Sequence, residues 1–137
     1  MKEKEIKFIE NLNKRFNKYL IPSEDDFDVY DAYNDNSILE IKIRDKAYET
    51  KFLQVDKCFQ LLMVGEANNK RPFYVVSDPD GIYVYDLFDL KENLLKKPIQ
   101  KIKCPYRTEF ANNVFVEKYF YELTKEEGRH FEWKKEL

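Results

Sequence analysis

The stretch Ile38-Leu39-Glu40-Ile41-Lys42-Ile43-Arg44 sets two long charged side chains inside an aliphatic run. Read as a strand it alternates, with Leu39, Ile41 and Ile43 on one face and Glu40 and Lys42 on the other. A glutamate offers Mg²⁺ the hard oxygen donor that this cation prefers, while the ion keeps several of its waters. A lysine two residues along can orient or deprotonate one of those waters, or steady the charge of a phosphoryl transition state. One carboxylate holds such an ion weakly, so a second acid is required.

Asp28 and Asp31, on a strand predicted over residues 27–33, are the candidates. Phe27, Val29 and Tyr33 occupy odd positions there, as Leu39, Ile41 and Ile43 do on the partner. Cross-strand neighbours share a face, so burying both apolar sets together pairs odd with odd. That register places Asp28, Tyr30 and Ala32 beside Glu40 and Lys42, and makes Asp28 the second ligand. A turn of even length would bring Asp31 there instead.

The elements that must position these groups follow from periodicity. Ile6, Ile9, Phe16 and Leu20 predict a helix over 2–20, ended by Pro22. Asn34-Asp35-Asn36-Ser37 turns the chain into a second strand over 38–44. After a polar connection at 46–51, Phe52, Val55, Phe59, Leu62 and Met63 predict a helix over 52–66, ending near Gly65. Strands follow at 73–77 and 82–87 around the turn Asp78-Pro79-Asp80-Gly81. Beyond them come a short helix at 89–97, strands at 99–104 and 114–123, and a charged, unpatterned tail from Thr124. No repeat or Gly/Ser linker divides the chain. The order reads as one α/β domain, a mixed sheet flanked by helices, with a core at 2–87 and an extension at 88–137.

Composition narrows the chemistry. With 43 % hydrophobic and 16 % aromatic residues, the 137-residue chain has enough large side chains to build a core rather than stay disordered. A single histidine, His130, argues against a His-based zinc site or a Ser-His-Asp triad. Cys58 and Cys104 lack metal-ligand spacing and fit a reduced, cytoplasmic protein. No apolar run reaches the roughly 20 residues that span a bilayer. The net charge of −2 hides two blocks. Six acids and no base lie between Glu24 and Asp35, and six bases against one acid between Lys91 and Arg107. Such segregation suits a cation site beside the first and a polyanion contact along the second.

Asp28 followed by Glu40-x-Lys42, between two helices, resembles the PD-(D/E)XK nuclease superfamily. The likeness runs from about Lys2 to Leu87 and leans toward small phage-encoded members, which carry segments similar to Glu40-Ile41-Lys42-Ile43-Arg44-Asp45, Asp56-Lys57 and the stretch from Cys104 to Phe110. Phe27 stands where the superfamily's name has Pro. The resemblance implies a restriction-endonuclease-like fold and hydrolysis of DNA phosphodiesters with Mg²⁺ (or Mn²⁺). Asp28 and Glu40 would hold the metal and Lys42 the attacking water. Glu10, or else Glu5, from the first helix and Lys57, or else Gln60, from the second would complete the catalytic set. Lys96, Lys97, Lys101, Lys103 and Arg107 would supply sequence-independent DNA affinity. DNA is the implied partner, a homodimer suits a chain this small, no membrane is involved, and the host cytoplasm is the expected place. The same fold without turnover would be a binding module for nucleic acid or a host protein.

Overall fold

Phe8, Ile9 and Leu12 bury one stripe of the first helix, α1 (Lys2–Phe16), with Glu3 and Glu5 in its first turn and Lys14 and Arg15 in its last, the order its dipole favours. The helix stops short of Leu20. Asn17 takes a left-handed conformation, φ 53°, and Asn13 clamps the departing chain: its Oδ1 accepts from Leu20 N at 2.7 Å and its Nδ2 donates to Leu20 O at 3.0 Å. The structure, a computed structural model, describes residues 2–24, 29–105 and 115–133.

After α1 come β1 (Ile21–Pro22), β2 (Ala32–Tyr33), β3 (Ser37–Ile43), β4 (Lys51–Gln54), α2 (Val55–Asn68), β5 (Arg71–Asp78), β6 (Gly81–Asp86), α3 (Leu87–Lys96), β7 (Gln100–Pro105), β8 (Phe115–Leu123), a 3₁₀ turn (Lys125–Glu127) and β9 (Arg129–Phe131). Six strands form a mixed sheet in the order β1-β2-β3-β5-β6-β9, in which only β3 and β5 run parallel. Parallel neighbours need a crossover, which β4 and α2 supply. A smaller sheet, β4-β8-β7, lies beside it.

Both faces of the main sheet are covered. On one, Leu39, Ile41, Val75 and Ile82 pack against Phe8, Ile9 and Leu12 of α1. On the other, Ile38, Tyr74, Val76, Tyr83 and Tyr85 pack against α2, α3 and the smaller sheet through Leu61, Leu94, Tyr121 and Leu123. Gly65 is required where α2 meets the start of β5, because a Cβ there would sit 2.6 Å from the Lys70 carbonyl oxygen.

Besides the shorter α1, the strand expected over 27–33 is confined to Ala32–Tyr33 among the described residues, and two further regions differ from the sequence expectation. Residues 51–54 are strand, not the start of a helix: Lys51 and Leu53 are buried while Phe52 is exposed, and β8 pairs alongside. Lys51 closes a buried ion pair with Asp78 at 2.6 Å, tying β4 to the end of β5. Residues 124–133 of the tail also take a defined place in the fold. A capping box joins Thr124 and Glu127, and β9 extends the sheet on β6 with the His130 ring stacked on Tyr83 at 4.5 Å.

Candidate active site

The hairpin β2–β3 decides which acid meets Glu40. Ala32 lies opposite Leu39 and Tyr33 opposite Ile38, so the turn has even length and odd positions face even ones. The odd-with-odd register is therefore corrected. Ala32 is buried with Leu39 and Ile41 on the α1 face rather than standing beside Glu40. Asp31 takes the place opposite Glu40. Its backbone N–H donates to Leu39 O at 2.7 Å, and its Oδ2 accepts from Ile41 N, also at 2.7 Å. Ser23 steadies this approach, donating from N to Asp31 O and from Oγ to Tyr30 O, each at 2.9 Å. Asp28, the acid favoured from sequence, lies outside the described residues.

Glu40 is only 5 % exposed. Burial, then the neighbouring Asp31 carboxylate and its hydrogen bond, push the Glu40 carboxyl up from 4.5 to about 7, against the pull of Lys57 and Lys42. Lys42 Nζ stands 3.7 Å from Glu40 Oε2 and keeps nearly half of its side chain in solvent. Lys57, in the first turn of α2, donates to Val29 O at 3.2 Å and adds a second positive charge. Asp31, from the bend before β2, thus meets Glu40 and Lys42 of β3 and Lys57 of α2 on the α2 side of the sheet.

Arg44 joins them and was not singled out from sequence. The alternation that pairs Glu40 with Lys42 continues to it, and that period was the available signal. It is exposed, and its charge reaches the buried hydroxyl of Tyr74, which also senses Glu40 and donates to Phe52 O at 2.8 Å.

Other expected residues stay apart. Glu10 is exposed on α1, which covers the opposite face of the sheet from Glu40, and Glu5 is half-buried on the same helix. Gln60 is exposed on α2. Within the basic stretch, Lys97 is half-buried and bound to Glu127 at 2.8 Å, so it anchors the 3₁₀ turn rather than waiting for phosphate. Lys101 reaches Glu117 at 3.3 Å, Lys96 and Lys103 are exposed, and Arg107 lies outside the described residues.

A cavity of about 730 Å³ opens on the α1 side of the sheet, floored by Leu39, Phe73, Val75 and Phe131. It lies across the sheet from Glu40, and Lys18, Asp86, Asp89, Glu126 and Arg129 line it beside the apolar floor. Among the described residues no cluster of three His, Cys, Asp or Glu side chains is placed to hold a metal. The donor chemistry of Asp31 and Glu40 nonetheless fits a divalent cation. Both are hard oxygen donors, and the raised Glu40 carboxyl marks a pair short of positive charge.

No family model matches the chain, and no curated protein matches it. Among solved structures the chain is similar to Hjc, a Holliday junction resolvase from the archaeal hyperthermophile Archaeoglobus fulgidus, with a TM-score of 0.53 and 16 % identity over 91 % of this chain and 89 % of that one. Hjc is a PD-(D/E)XK-type nuclease. The likeness fixes the architecture: this chain has a restriction-endonuclease-like fold, as the resemblance implied.

Proposed function

We propose that this protein is a divalent-metal-dependent nuclease that hydrolyses DNA phosphodiester bonds. The observation that carries the reading is the carboxylate pair of Asp31, just before β2, and Glu40 of β3, with Lys42 and Lys57 beside it, in a fold shared with a Holliday junction resolvase. Asp31 and Glu40 would hold Mg²⁺ or Mn²⁺, with Asp28 a further candidate ligand. When bound, such an ion supplies Lewis acidity toward the phosphodiester. Lys42, with its ammonium end in solvent, holds the attacking water. Lys57 offsets carboxylate charge from the helix side. Arg44, exposed on the same face, takes a non-bridging phosphate oxygen, since a guanidinium suits that planar, two-point contact. The run from Glu40 to Asp45, together with Asp56-Lys57, supports a role in phage-type nucleic-acid processing.

The test is cleavage of plasmid, branched and single-stranded DNA with Mg²⁺ or Mn²⁺. Activity should stop with chelator and disappear in Glu40→Ala and Lys42→Ala while both variants keep the wild-type circular dichroism. DNA that is bound but never cut under any divalent ion would replace this reading with that of a binding module on the same fold.

A further inference from the structure

The β7–β8 ribbon leaves the core partway along its length. Tyr121 and Leu123 are buried against α2, but along the same face Tyr119 is 48 % exposed and Phe115 51 %. Among the described residues the ribbon is paired from Gln100 opposite Phe120 to Pro105 opposite Phe115. Rings exposed together on one face of a ribbon offer a surface on which a partner can be laid. Directly opposed residues share a face, which joins Lys101 to Tyr119 and sets Lys103 opposite Glu117 between the two rings. Both lysines are exposed, and among the described residues of the ribbon Glu117, 3.3 Å from Lys101, is the one acid on this face. The face is therefore basic on a chain whose net charge is negative.

Rings and ammonium groups in alternation match one chemistry. Four residue steps along the strand take Phe115 to Tyr119, about 13 Å, which leaves room for successive bases on an extended strand. Lysines between rings meet the phosphates that link such bases. A duplex buries its base faces in its own stack, so only unpaired bases can use these rings. We infer that this face of the β7–β8 ribbon binds single-stranded nucleic acid, stacking unpaired bases on Tyr119 and Phe115 and seating their phosphates on Lys101 and Lys103. This deepens the nuclease reading by naming a substrate class, DNA with an unpaired segment, and it places that segment on the α2 side of the sheet, where Glu40 and Lys42 also project.

The experiment is fluorescence anisotropy with labelled oligothymidine and a blunt duplex of equal length, in chelator so that nothing is cut. Oligothymidine should bind tighter than duplex. Tyr119→Ala and Phe115→Ala should each weaken oligothymidine roughly five-fold or more, while Tyr119→Phe, which keeps the ring, holds wild-type affinity. Lys103→Ala should flatten the salt dependence of log K by about 0.7. Unchanged oligothymidine affinity in Tyr119→Ala overturns the inference, as does equal binding of duplex. So does a dimer in sedimentation that Tyr119→Ala converts to monomer, because the face would then join two copies of the chain. Retained metal-dependent cleavage with unaltered binding in Tyr119→Ala removes the ribbon proposal and spares the nuclease reading. Ring-dependent oligothymidine binding without cleavage under any divalent ion does the reverse.

Discussion

Glu40→Gln should stabilise this protein by an amount that grows as pH rises from 4.5 to about 7 and is constant above it. A carboxyl raised from 4.5 to about 7 binds its proton more tightly in the folded chain than in the unfolded one. Between those values the native state holds a proton that the unfolded state has released, so unfolding free energy falls as pH rises. The contribution is complete below pH 4.5 and lost above pH 7. At about 1.4 kcal/mol per pH unit the loss sums to about 3 kcal/mol. The glutamine amide stays neutral at every pH and can still donate to Asp31. The variant should match wild type near pH 4.5 and exceed it by about 3 kcal/mol at pH 8, roughly 10 °C in Tm. Urea unfolding followed by circular dichroism at both pH values, in chelator, measures the difference, and groups common to both proteins cancel. Equal stability at pH 8, or a gap that does not change with pH, would refute the claim that burial beside Asp31 raises Glu40.

Other outcomes follow from the same geometry. Mg²⁺ should raise the Tm of wild type above pH 7 and leave Glu40→Gln nearly unmoved, read by a thermal melt against ion concentration. Because proton and cation compete for Glu40, cleavage should fall on the acid side of about pH 7, and that limb should move to lower pH as free Mg²⁺ rises, seen in rate profiles at two ion concentrations. Lys57→Ala removes a charge that holds the Glu40 carboxyl down, so the stability transition of that variant should shift to higher pH. Asp78→Ala strands the buried Lys51 ammonium and should cost about 3–5 kcal/mol in urea unfolding. Gly65→Ala forces a methyl onto the Lys70 carbonyl and should cost about 1–3 kcal/mol in the same assay.

The β3 alternation was legible because it is local. Glu40, Lys42 and Arg44 share a face through the strand's own period, whatever pairs with it. Register was not legible, and the reason lies in the sheet's two covered faces. Counting odd apolar residues assumes one buried side, yet Val29 and Tyr33 pack toward α2 and α3 while Ala32 packs toward α1. Where both faces are buried, apolar parity carries no register information. The even-length turn then moved Asp31 opposite Glu40. β4 was hidden for a related reason. Phe52 extends the three-to-four spacing of α2 backwards, but the strand is made by its pairing with Tyr121 and Leu123, far along the chain. The tail is held by similarly remote contacts: His130 on Tyr83, and Trp133 Nε1 donating to Asp78 O at 2.7 Å. None of these leaves a local period.

Glu40 itself argues for a cation. Positions 38, 39 and 41 of β3 are buried and apolar, and a leucine at 40 would suit the same surroundings. The chain instead buries a carboxylate there and sets a second directly across from it, an arrangement that disfavours ionisation twice over, by desolvation and by like charge. Lys42 and Lys57 offset part of that but still leave the Glu40 carboxyl raised to about 7. Asp31 has a structural task in accepting the Ile41 N–H, whereas Glu40 is buried facing it. A divalent ion held by the two acids would relieve both penalties at once, and that makes the costliest arrangement on β3 the one best suited to hold a metal.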